Sequence, residues 1–444
     1  MKNSQQRFKN QMIKMSSGLL ACATLMSAQA QADSANAESF IEAVENGKNL
    51  SSFRLRYEHV DQDGITAANG TTLRSLIGWQ TAAFNGFNIS AQLIDVSKLQ
   101  DHFNDGVPYS GPIYAYSNQP RNVSYAKIID PSYTGINQLY VDISAIDNTN
   151  IKLGRQQVNL DNVRFIGDIG FRQVMQVFDG ISVLNKSIAN TDIRLAHYES
   201  VRQINTKLRT DGALDIANIK YHFSPTASLT GYGYFSSFDD LGYGKAWLGD
   251  DNANQSNRTL GLRLDGASKL NDDWKILYTA EYAKQQDYSG GDKNIDAHYY
   301  KLGGGVAYGS FTLRADQELL SSNDGKYAFQ TPFGTNHLFQ GWTDKFLVTP
   351  KQGMRDSFIT ATYKYGDFAF FADYHWMNSD EDFNKVGGGI ADQYGREWNV
   401  ATSYSYNKQL MAKVEYGKYS ESDQNAAGRI RDTDKLWLTL NYNL

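Results

Sequence analysis

A chain of 444 residues with one cysteine, Cys22, and a formal charge of −5 has neither the cysteine pairs of a disulfide-stapled domain nor the basic block of a nucleic-acid binder. Its 38 Gly and 28 Tyr against 7 Pro are unusual for the several soluble domains that such a length would otherwise suggest.

The N-terminus carries Lys2, Arg7, Lys9 and Lys14 without an acid, then the apolar run "GLLACATLM", then Ala28, Ala30 and Ala32. This is the three-part plan of a secretory signal peptide, assigned to residues 1–32, with small-x-small cleavage after Ala30 or Ala32. The run is too short and too broken by Ser and Thr to cross a bilayer as a helix. Cleavage would remove Cys22 and four cations, taking the formal charge from −5 to −9. Residues 33–51 form a short periplasmic segment in which "SFIEAVENG" predicts one short helix, too little chain for the plug of an energised receptor.

From Ser52 onward, segments of about ten residues alternate apolar with polar or small residues, the period-two signal of a strand. "FRLRYEH" sets Phe53, Leu55 and Tyr57 against Arg54, Arg56 and Glu58. "RTLGLRLDG" sets Leu260, Leu262 and Leu264 against Thr259, Gly261, Arg263 and Asp265, and "WKILYTAEYAK" repeats the pattern from Trp274 to Tyr282. In chain order the segments fall near 52–60, 71–82, 86–97, 136–145, 149–157, 176–186, 190–200, 212–223, 227–237, 257–266, 273–284, 295–308, 310–320, 356–365, 368–377, 395–406, 409–419 and 433–444.

The connections alternate as well. Tight turns at Asn85-Gly86, Gly309-Ser310, Gly366-Asp367 and Asn407-Lys408 suit hairpins. Between them lie long polar loops near 98–135, 158–175, 237–257, 320–355, 378–394 and 419–432. Short turns at one end and long loops at the other predict an all-β chain: a transmembrane antiparallel β-barrel of about 18 strands, residues 52–444, in the outer membrane of a Gram-negative bacterium. An even strand count returns both termini to the periplasmic side.

A soluble β-sandwich also alternates, but two features separate the cases. Phe84 and Phe87, Tyr308 and Phe311, and Tyr365 and Phe368 flank three of the tight turns, where a membrane interface places its aromatic girdle. The opposite strand face is charged nearly throughout, which a dry core would not tolerate but a water-filled barrel does. The chain ends inside an alternating strand, "KLWLTLNYNL", similar to the terminal strand that the barrel assembly machinery recognises, with Leu444 where Phe is commoner.

No G-x-S-x-G, H-E-x-x-H, P-loop or G-x-G-x-x-G occurs, no histidine pair has metal-ligand spacing, and no Ser, His and carboxylate constellation can be assembled near one strand end. The expectation is a protein that is not an enzyme, with no cofactor and no metal. His222 and His375 fall on the polar face as satisfied lumen residues, and "DQDG" at 61–64 reads as a hairpin tip, lacking the closing Glu of a calcium loop.

The polar face supplies basic positions Arg54, Arg56, Arg74, Lys152, Arg194, Lys220, Arg263, Lys275, Arg314, Lys364 and Lys413. Its acidic positions are Glu58, Asp142, Asp192, Asp265, Glu281, Asp316, Glu318, Asp373, Glu397 and Glu415, so the lumen reads as mixed in sign. Each of these charges either sets selectivity, as rings of charge do in pores, or belongs to an ion-pair network that stiffens the wall. Arg54, Arg56 and Arg74 are the leading functional candidates because only Glu58 lies beside them, and a guanidinium suits bidentate carboxylate recognition.

The stretch "LGRQQVNLDNVRFIGDIGFRQVMQVFDG", 153–180, gathers three Arg, four Gln, two Asn and four Gly. Leu153 to Gln156 complete a strand, Asn159 to Gly170 make an outer loop, and Gln176 to Gly180 begin the return. This puts Arg155, Arg164 and Arg172 at the outer half of the pore, lining it or tying the loop to the wall. Simple alternation from Leu153 aims Arg155 at lipid, so a pore-lining Arg155 requires a twist or bulge there.

Three segments, "FRLRYEHVDQDG" (53–64), the 153–180 stretch and "AFQTPFGTNHLFQGWTDKFLVTP" (328–350), resemble signature segments of the alginate-export family of outer-membrane β-barrels. The resemblance implies an eighteen-stranded barrel acting as a passive channel, with an arginine-dense lumen that passes an anionic polysaccharide. The mixed lumen departs from that pattern, so the chain is expected to be a porin-like relative rather than the alginate exporter itself. The third segment is too aromatic for a solvated loop and is expected either to fold inward and constrict the pore, with His337, Trp342, Asp344 and Lys345 at the constriction, or to cap neighbouring loops.

The function expected is passive passage of small or oligomeric polar solutes, anionic ones included, with export of an anionic polysaccharide such as alginate as the alternative. The expected partners are that polar solute or oligosaccharide, outer-membrane lipid and the assembly machinery, with no nucleic acid.

Overall fold

The computed structural model describes residues 36–106, 124–242, 253–385, 387–422 and 431–444. The signal peptide expected at 1–32, with Cys22 and the cleavage alanines, lies outside the described residues.

Eighteen strands form one closed antiparallel barrel. They are Ser52–Gln62 (β1), Ala68–Gln80 (β2), Phe87–His102 (β3), Tyr133–Ile146 (β4), Thr149–Gln156 (β5) and Val177–Asn185 (β6). Thr191–Arg202 (β7), Leu214–Ser224 (β8), Ala227–Ser236 (β9), Asn257–Lys269 (β10), Trp274–Asp287 (β11) and Asp296–Tyr308 (β12) follow. Phe311–Leu320 (β13), Met354–Tyr365 (β14), Phe368–Asn384 (β15), Ile390–Ser405 (β16), Leu410–Glu421 (β17) and Thr433–Asn443 (β18) complete the wall. Each strand pairs with its sequence neighbours, and β1 closes on β18 with Ser52 opposite Asn443 and Gln62 opposite Thr433. The start of β1 and the end of β18 therefore meet on the short-turn side. A short helix, Phe40–Glu45 (α1), precedes the barrel where the sequence predicts one.

The burial pattern is inverted relative to a soluble domain. On β10, Leu260 and Leu262 are 47% and 59% exposed, whereas the alternating Thr259 and Arg263 are buried. On β1, Leu55 is exposed and Arg54, Arg56 and Glu58 are buried. Leaving a Leu side chain in water instead of burying it forgoes about 1.5–3 kcal/mol, so a continuous apolar exterior of this kind is suited to hydrocarbon. The strand ladder satisfies its own N–H and C=O groups, as a lipid-facing wall must.

The tight turns follow from local chemistry. Asn85 and Gly86 both adopt positive φ, 52° and 76°, and Phe84 and Phe87 exchange both backbone hydrogen bonds, at 2.8 and 3.0 Å. That is the turn whose twist matches the strands it joins, and Asn-Gly tolerates both left-handed positions. Gly309 and Gly366 take positive φ at two further predicted turns. Around this end Phe87, Tyr308, Phe311, Tyr365 and Phe368 are exposed on the outer face, forming the expected girdle.

The interior differs from a simple water-filled tube. A barrel of this width is not filled by its own wall side chains. Here the β5–β6 and β13–β14 loops fold inward and bury Leu160, Phe165, Ile166, Phe329, Phe333 and Phe346 against Tyr198, Tyr232, Tyr234, Tyr299 and Tyr419 of the wall. The expectation that 159–170 is an outer loop is corrected: its aromatic and aliphatic side chains find apolar partners only on the inner surface of the wall.

The inverted burial predicts that Leu262→Arg, near the middle of β10 on the outer face, destabilises the folded barrel by about 2–4 kcal/mol. Reversible denaturant unfolding in phospholipid vesicles measures this, and an unchanged midpoint would contradict a lipid-facing Leu262.

Candidate functional site

The two inward loops hold each other by backbone bonds before any side chain is counted. Gly167 N donates to Phe333 O at 2.9 Å and Thr335 N to Val163 O at 2.9 Å. Irregular backbone enclosed in a barrel must still find hydrogen-bond partners, and the glutamines of the 153–180 stretch supply them. Gln176 Nε2 donates to Gly167 O and Phe333 O at 2.8 and 2.9 Å. Gln173 accepts no such role alone: its backbone N donates to Asp130 Oδ1 at 2.9 Å and its Nε2 to Thr72 Oγ1 at 2.9 Å.

The arginines fasten this assembly to the wall. Arg164, 1% exposed, donates through Nε to Glu318 Oε1 of β13 at 2.8 Å and through Nη2 to Gln340 Oε1 at 3.1 Å. Arg172 donates through Nη1 to Glu58 Oε2 of β1 at 2.8 Å and through Nη2 to Asp344 Oδ2 at 2.9 Å, joining both loops and the wall at one guanidinium. Asp344 also accepts from Lys435 Nζ of β18 at 2.7 Å and lies 2.8 Å from His337 Nδ1. Thr343 N donates to Glu397 Oε1 of β16 at 2.9 Å, and its hydroxyl bonds the other carboxylate oxygen. All of these contacts except His337–Asp344 link residues more than 50 positions apart in sequence.

The loop groups titrate accordingly. Burial alone would raise the Asp344 carboxyl, but Lys435, His337 and Arg172 outweigh it and hold it well below the usual carboxylate range. Burial lowers His337, against the pull of Asp344. Burial would lower Arg172 too, but Glu58 and Asp344 raise it. Lys345 is pushed down to about 8, chiefly by burial and then by Lys435.

Between the loops and the wall remains a cavity of about 70 Å³. It lies off centre, against the seam where β17, β18 and β1 meet, and is lined there by Arg54, Arg56, Lys413, Glu415, Thr439 and Asn441. The loops contribute Asp168, Gly170, Phe171, His337 and Trp342. Phe171 stacks on His337 with centroids 3.5 Å apart, and Trp342 stacks on Phe371 at 4.9 Å, so one side of the cavity is aromatic.

Arg54 donates through Nε to Asn441 Oδ1 at 2.8 Å and through Nη1 to Gly170 O at 2.7 Å. Arg56 donates to Phe171 O at 2.5 Å and lies 4.4 Å above the Phe171 ring. Arg74 faces Arg54 directly across the β1–β2 ladder and is 6% exposed, with Nε and Nη1 unpartnered. Among the described residues, none of these three has a carboxylate within ion-pair distance. Their acceptors are carbonyl, amide and hydroxyl oxygens, which leave the positive charge in place. Glu58, the one acid expected beside them, is taken by Arg172.

The other candidate positions are distributed differently. Arg263 pairs with Asp265 and Glu281, and Arg314 with Asp316, so these charges are largely neutralised on the wall. Lys152 lies opposite Asp142 and 4.8 Å above the Tyr140 ring. Arg194 faces the lumen in the row of Asn218 and is exposed, away from the seam cavity. His375 is held between Asp356 at 2.8 Å and Asp373 at 3.2 Å, and His222 lies 3.6 Å from Asp192.

Arg155 is corrected. Its row partner Leu139 is 46% exposed on the outer face, as is its strand neighbour Leu153 at 55%, so unbroken alternation carries Arg155 outward. There it pairs with Asp179 through Nε and Nη2 at 2.7 and 2.8 Å. Gly154, at φ 127°, absorbs local distortion without inverting the strand. That Glu58 pairs with Arg172, leaving the three seam arginines without a carboxylate at ion-pair distance, could not be read from sequence. The residues that sequence reasoning missed at the cavity, Phe171, Thr439 and Asn441, carry no motif and become neighbours only through loop folding and barrel closure.

No protein-family model matches this sequence, and no curated protein matches it. Solved structures share the fold. *Pseudomonas aeruginosa* OccK5 (OpdH) superposes with a TM-score of 0.65 at 14% identity over 90% of this chain and 98% of its own. *Acinetobacter baumannii* OccAB2 gives 0.66 at 16% identity over 90% and 98%. *Pseudomonas aeruginosa* OpdK, crystallised with vanillate, gives 0.64 at 13% identity over 90% and 99%.

Two outcomes follow from the Arg172 contacts. Truncating one partner of a buried pair costs about 3–5 kcal/mol, so Arg172→Ala should release the β13–β14 loop, seen as larger and noisier single-channel conductance and as new protease cleavage within 321–353. A carboxylate with a depressed folded pKa contributes stability above its unfolded pKa and loses it only as pH falls through the folded value. Because Asp344 is held well below the usual range, conductance should not rise between pH 7 and pH 5, and a rise in that window would contradict this account.

Proposed function

We propose that this chain is a passive outer-membrane channel for small anionic solutes, and that Arg54, Arg56 and Arg74 attract and orient the carboxylate of the solute. The observation that carries this reading is Arg54 and Arg56 lining the seam cavity, with Arg74 facing Arg54 across the β1–β2 ladder, all three buried and none with a carboxylate within ion-pair distance among the described residues. In a lumen whose other charges are largely paired, they concentrate the positive potential along one wall. A fold shared with OpdK, crystallised with vanillate, agrees with the proposal.

The mechanism needs attraction without retention. A charge-assisted hydrogen bond contributes about 1.5–3 kcal/mol, enough to raise the local concentration of an anion at the constriction. The arginines already donate to Gly170, Phe171 and Asn441, so a solute shares those donors rather than monopolising them and can leave, as conduction requires. Phe171, His337 and Trp342 offer the apolar body of the solute a flat surface. No covalent step is involved.

Export of an anionic polysaccharide is the second reading, favoured by the resemblance of 53–64, 153–180 and 328–350 to alginate-export segments. It requires the two interlocked loops to part, because a polymer must thread the path continuously.

Reconstitution in planar bilayers tests both. The small-solute reading expects stepwise conductance with anions preferred, block by small monocarboxylates, and loss of that preference in Arg54→Gln/Arg56→Gln/Arg74→Gln with the barrel still folded. Absence of conductance steps, or equal permeability to both ion signs, would overturn it. Block by oligouronates, with no effect of monocarboxylates, would select the exporter instead.

A further inference from the structure

The helix α1 has no part in the pore, and its position is specific. Trp79 shares a row with Ala91 and with Leu139, which is exposed on the outer face, so the Trp79 indole points outward from the barrel. Its Nε1 donates to Val44 O at 2.9 Å. Ala82 N donates to Ala43 O, and Ala37 N to Ala83 O, both at 2.8 Å. The helix is therefore fastened at the periplasmic end of β2, against the outer face of the wall rather than beneath the pore mouth. Ser39 Oγ caps it by accepting from Glu42 N at 3.1 Å, and Glu42 Oε2 accepts from Glu38 N at 2.7 Å. The Ser39 cap and the Glu42 contact to the residue before it give so short a helix a fixed rotation.

Successive helical residues are about 100° apart, so Phe40, Val44 and Ile41 lie on one arc, with Ala43 at its edge and Glu42 opposite. Ala43 is fully buried against the barrel, whereas Phe40, Ile41 and Val44 are 53%, 70% and 40% exposed. Three large apolar side chains presented together on a fixed surface mark a contact site. The patch continues the lipid-facing belt, because Ile77, Trp79 and Phe87 at the same end of β2 and β3 are also exposed on the outer face. The acids Glu38, Glu42 and Glu45 beside it argue against recognition by anionic headgroups.

We infer that α1 is an interfacial anchor: Phe40, Ile41 and Val44 insert among the acyl chains at the headgroup boundary of the periplasmic leaflet, while Glu42 stays toward water. The binding is apolar burial next to the Trp79 girdle position, the arrangement by which amphipathic helices lie in an interface. It extends the membrane footprint of the barrel beside β2 and β3 and pins the entering chain at the rim, clear of the pore.

Single-cysteine labelling in a Cys22→Ser background tests this. The environment-sensitive fluorophore NBD is placed at Ile41→Cys, with Leu262→Cys on the lipid face and Lys408→Cys in a periplasmic turn as references. The full-length barrel is reconstituted in phosphatidylcholine vesicles, with or without bromine near the headgroup end of the acyl chains. The anchor expects the Ile41 label to show more than about half the bromolipid quenching of the Leu262 label and little quenching by aqueous iodide. Iodide quenching without bromolipid quenching, as at Lys408, would overturn it. Protection from both quenchers would also overturn it, indicating that a protein surface, such as a second copy of the chain, covers the patch. Ile41 is 70% exposed, and heat-modifiable gel mobility verifies each labelled barrel.

Discussion

Everything in this molecule follows from closing one antiparallel sheet on itself, β1 against β18, so that each strand finds its hydrogen-bond partners within the wall. In hydrocarbon an unpaired N–H or C=O costs several kcal/mol, and an open edge is not tolerated. Closure fixes a side-chain period of two around the whole circumference, and with it the inverted burial: leucines and aromatics outward, arginines and carboxylates inward. A one-residue slip in any strand would exchange the two sets, which is why the charged face reads so regularly along the chain.

Closure at eighteen strands also creates a difficulty, since the interior is too wide to fill with wall side chains. The protein fills part of it with two loops whose apolar residues pack on the inner wall from β7 round to β18, leaving a cavity against the seam of β17, β18 and β1. Loop backbone enclosed in this way needs partners that a regular ladder would otherwise provide. Gln173, Gln176, Arg164 and Arg172 supply them, which accounts for the guanidinium and amide groups gathered between 153 and 180. Interior charges consequently fall into two kinds. Arg164, Arg172, Arg263 and Arg314 hold the structure through carboxylates, whereas Arg54, Arg56 and Arg74 have none within ion-pair distance, and Arg54 and Arg56 line the cavity.

The legible part of this architecture was local. Asn85-Gly86 specified its hairpin because the left-handed turn needs residues that accept positive φ, and Leu260, Thr259, Leu262 and Arg263 specified their faces because alternation is a property of neighbouring residues. The aromatic content of 328–350 marked that loop as one that would either fold inward or cap its neighbours, and the structure packs Phe329, Phe333 and Phe346 on the inner wall. The inward fold of 159–170 was not legible, because Phe165 and Ile166 stand among polar residues and gain an apolar environment only when they meet the wall. Arg155 is the type of residue that lines pores, yet alternation from Leu153 carries it outward.

The sequence by itself determined the strand number, the closure and the inward or outward face of nearly every strand residue, because each rests on period-two patterning and short-range turn chemistry. Only the tertiary structure decided which interior arginines lack a carboxylate at ion-pair distance and where the cavity lies. Glu58 is nearest in sequence to Arg54 and Arg56, yet its carboxylate belongs to Arg172, more than a hundred residues away. Such a pairing depends on how two loops pack inside a closed wall, and no spacing along the chain encodes it.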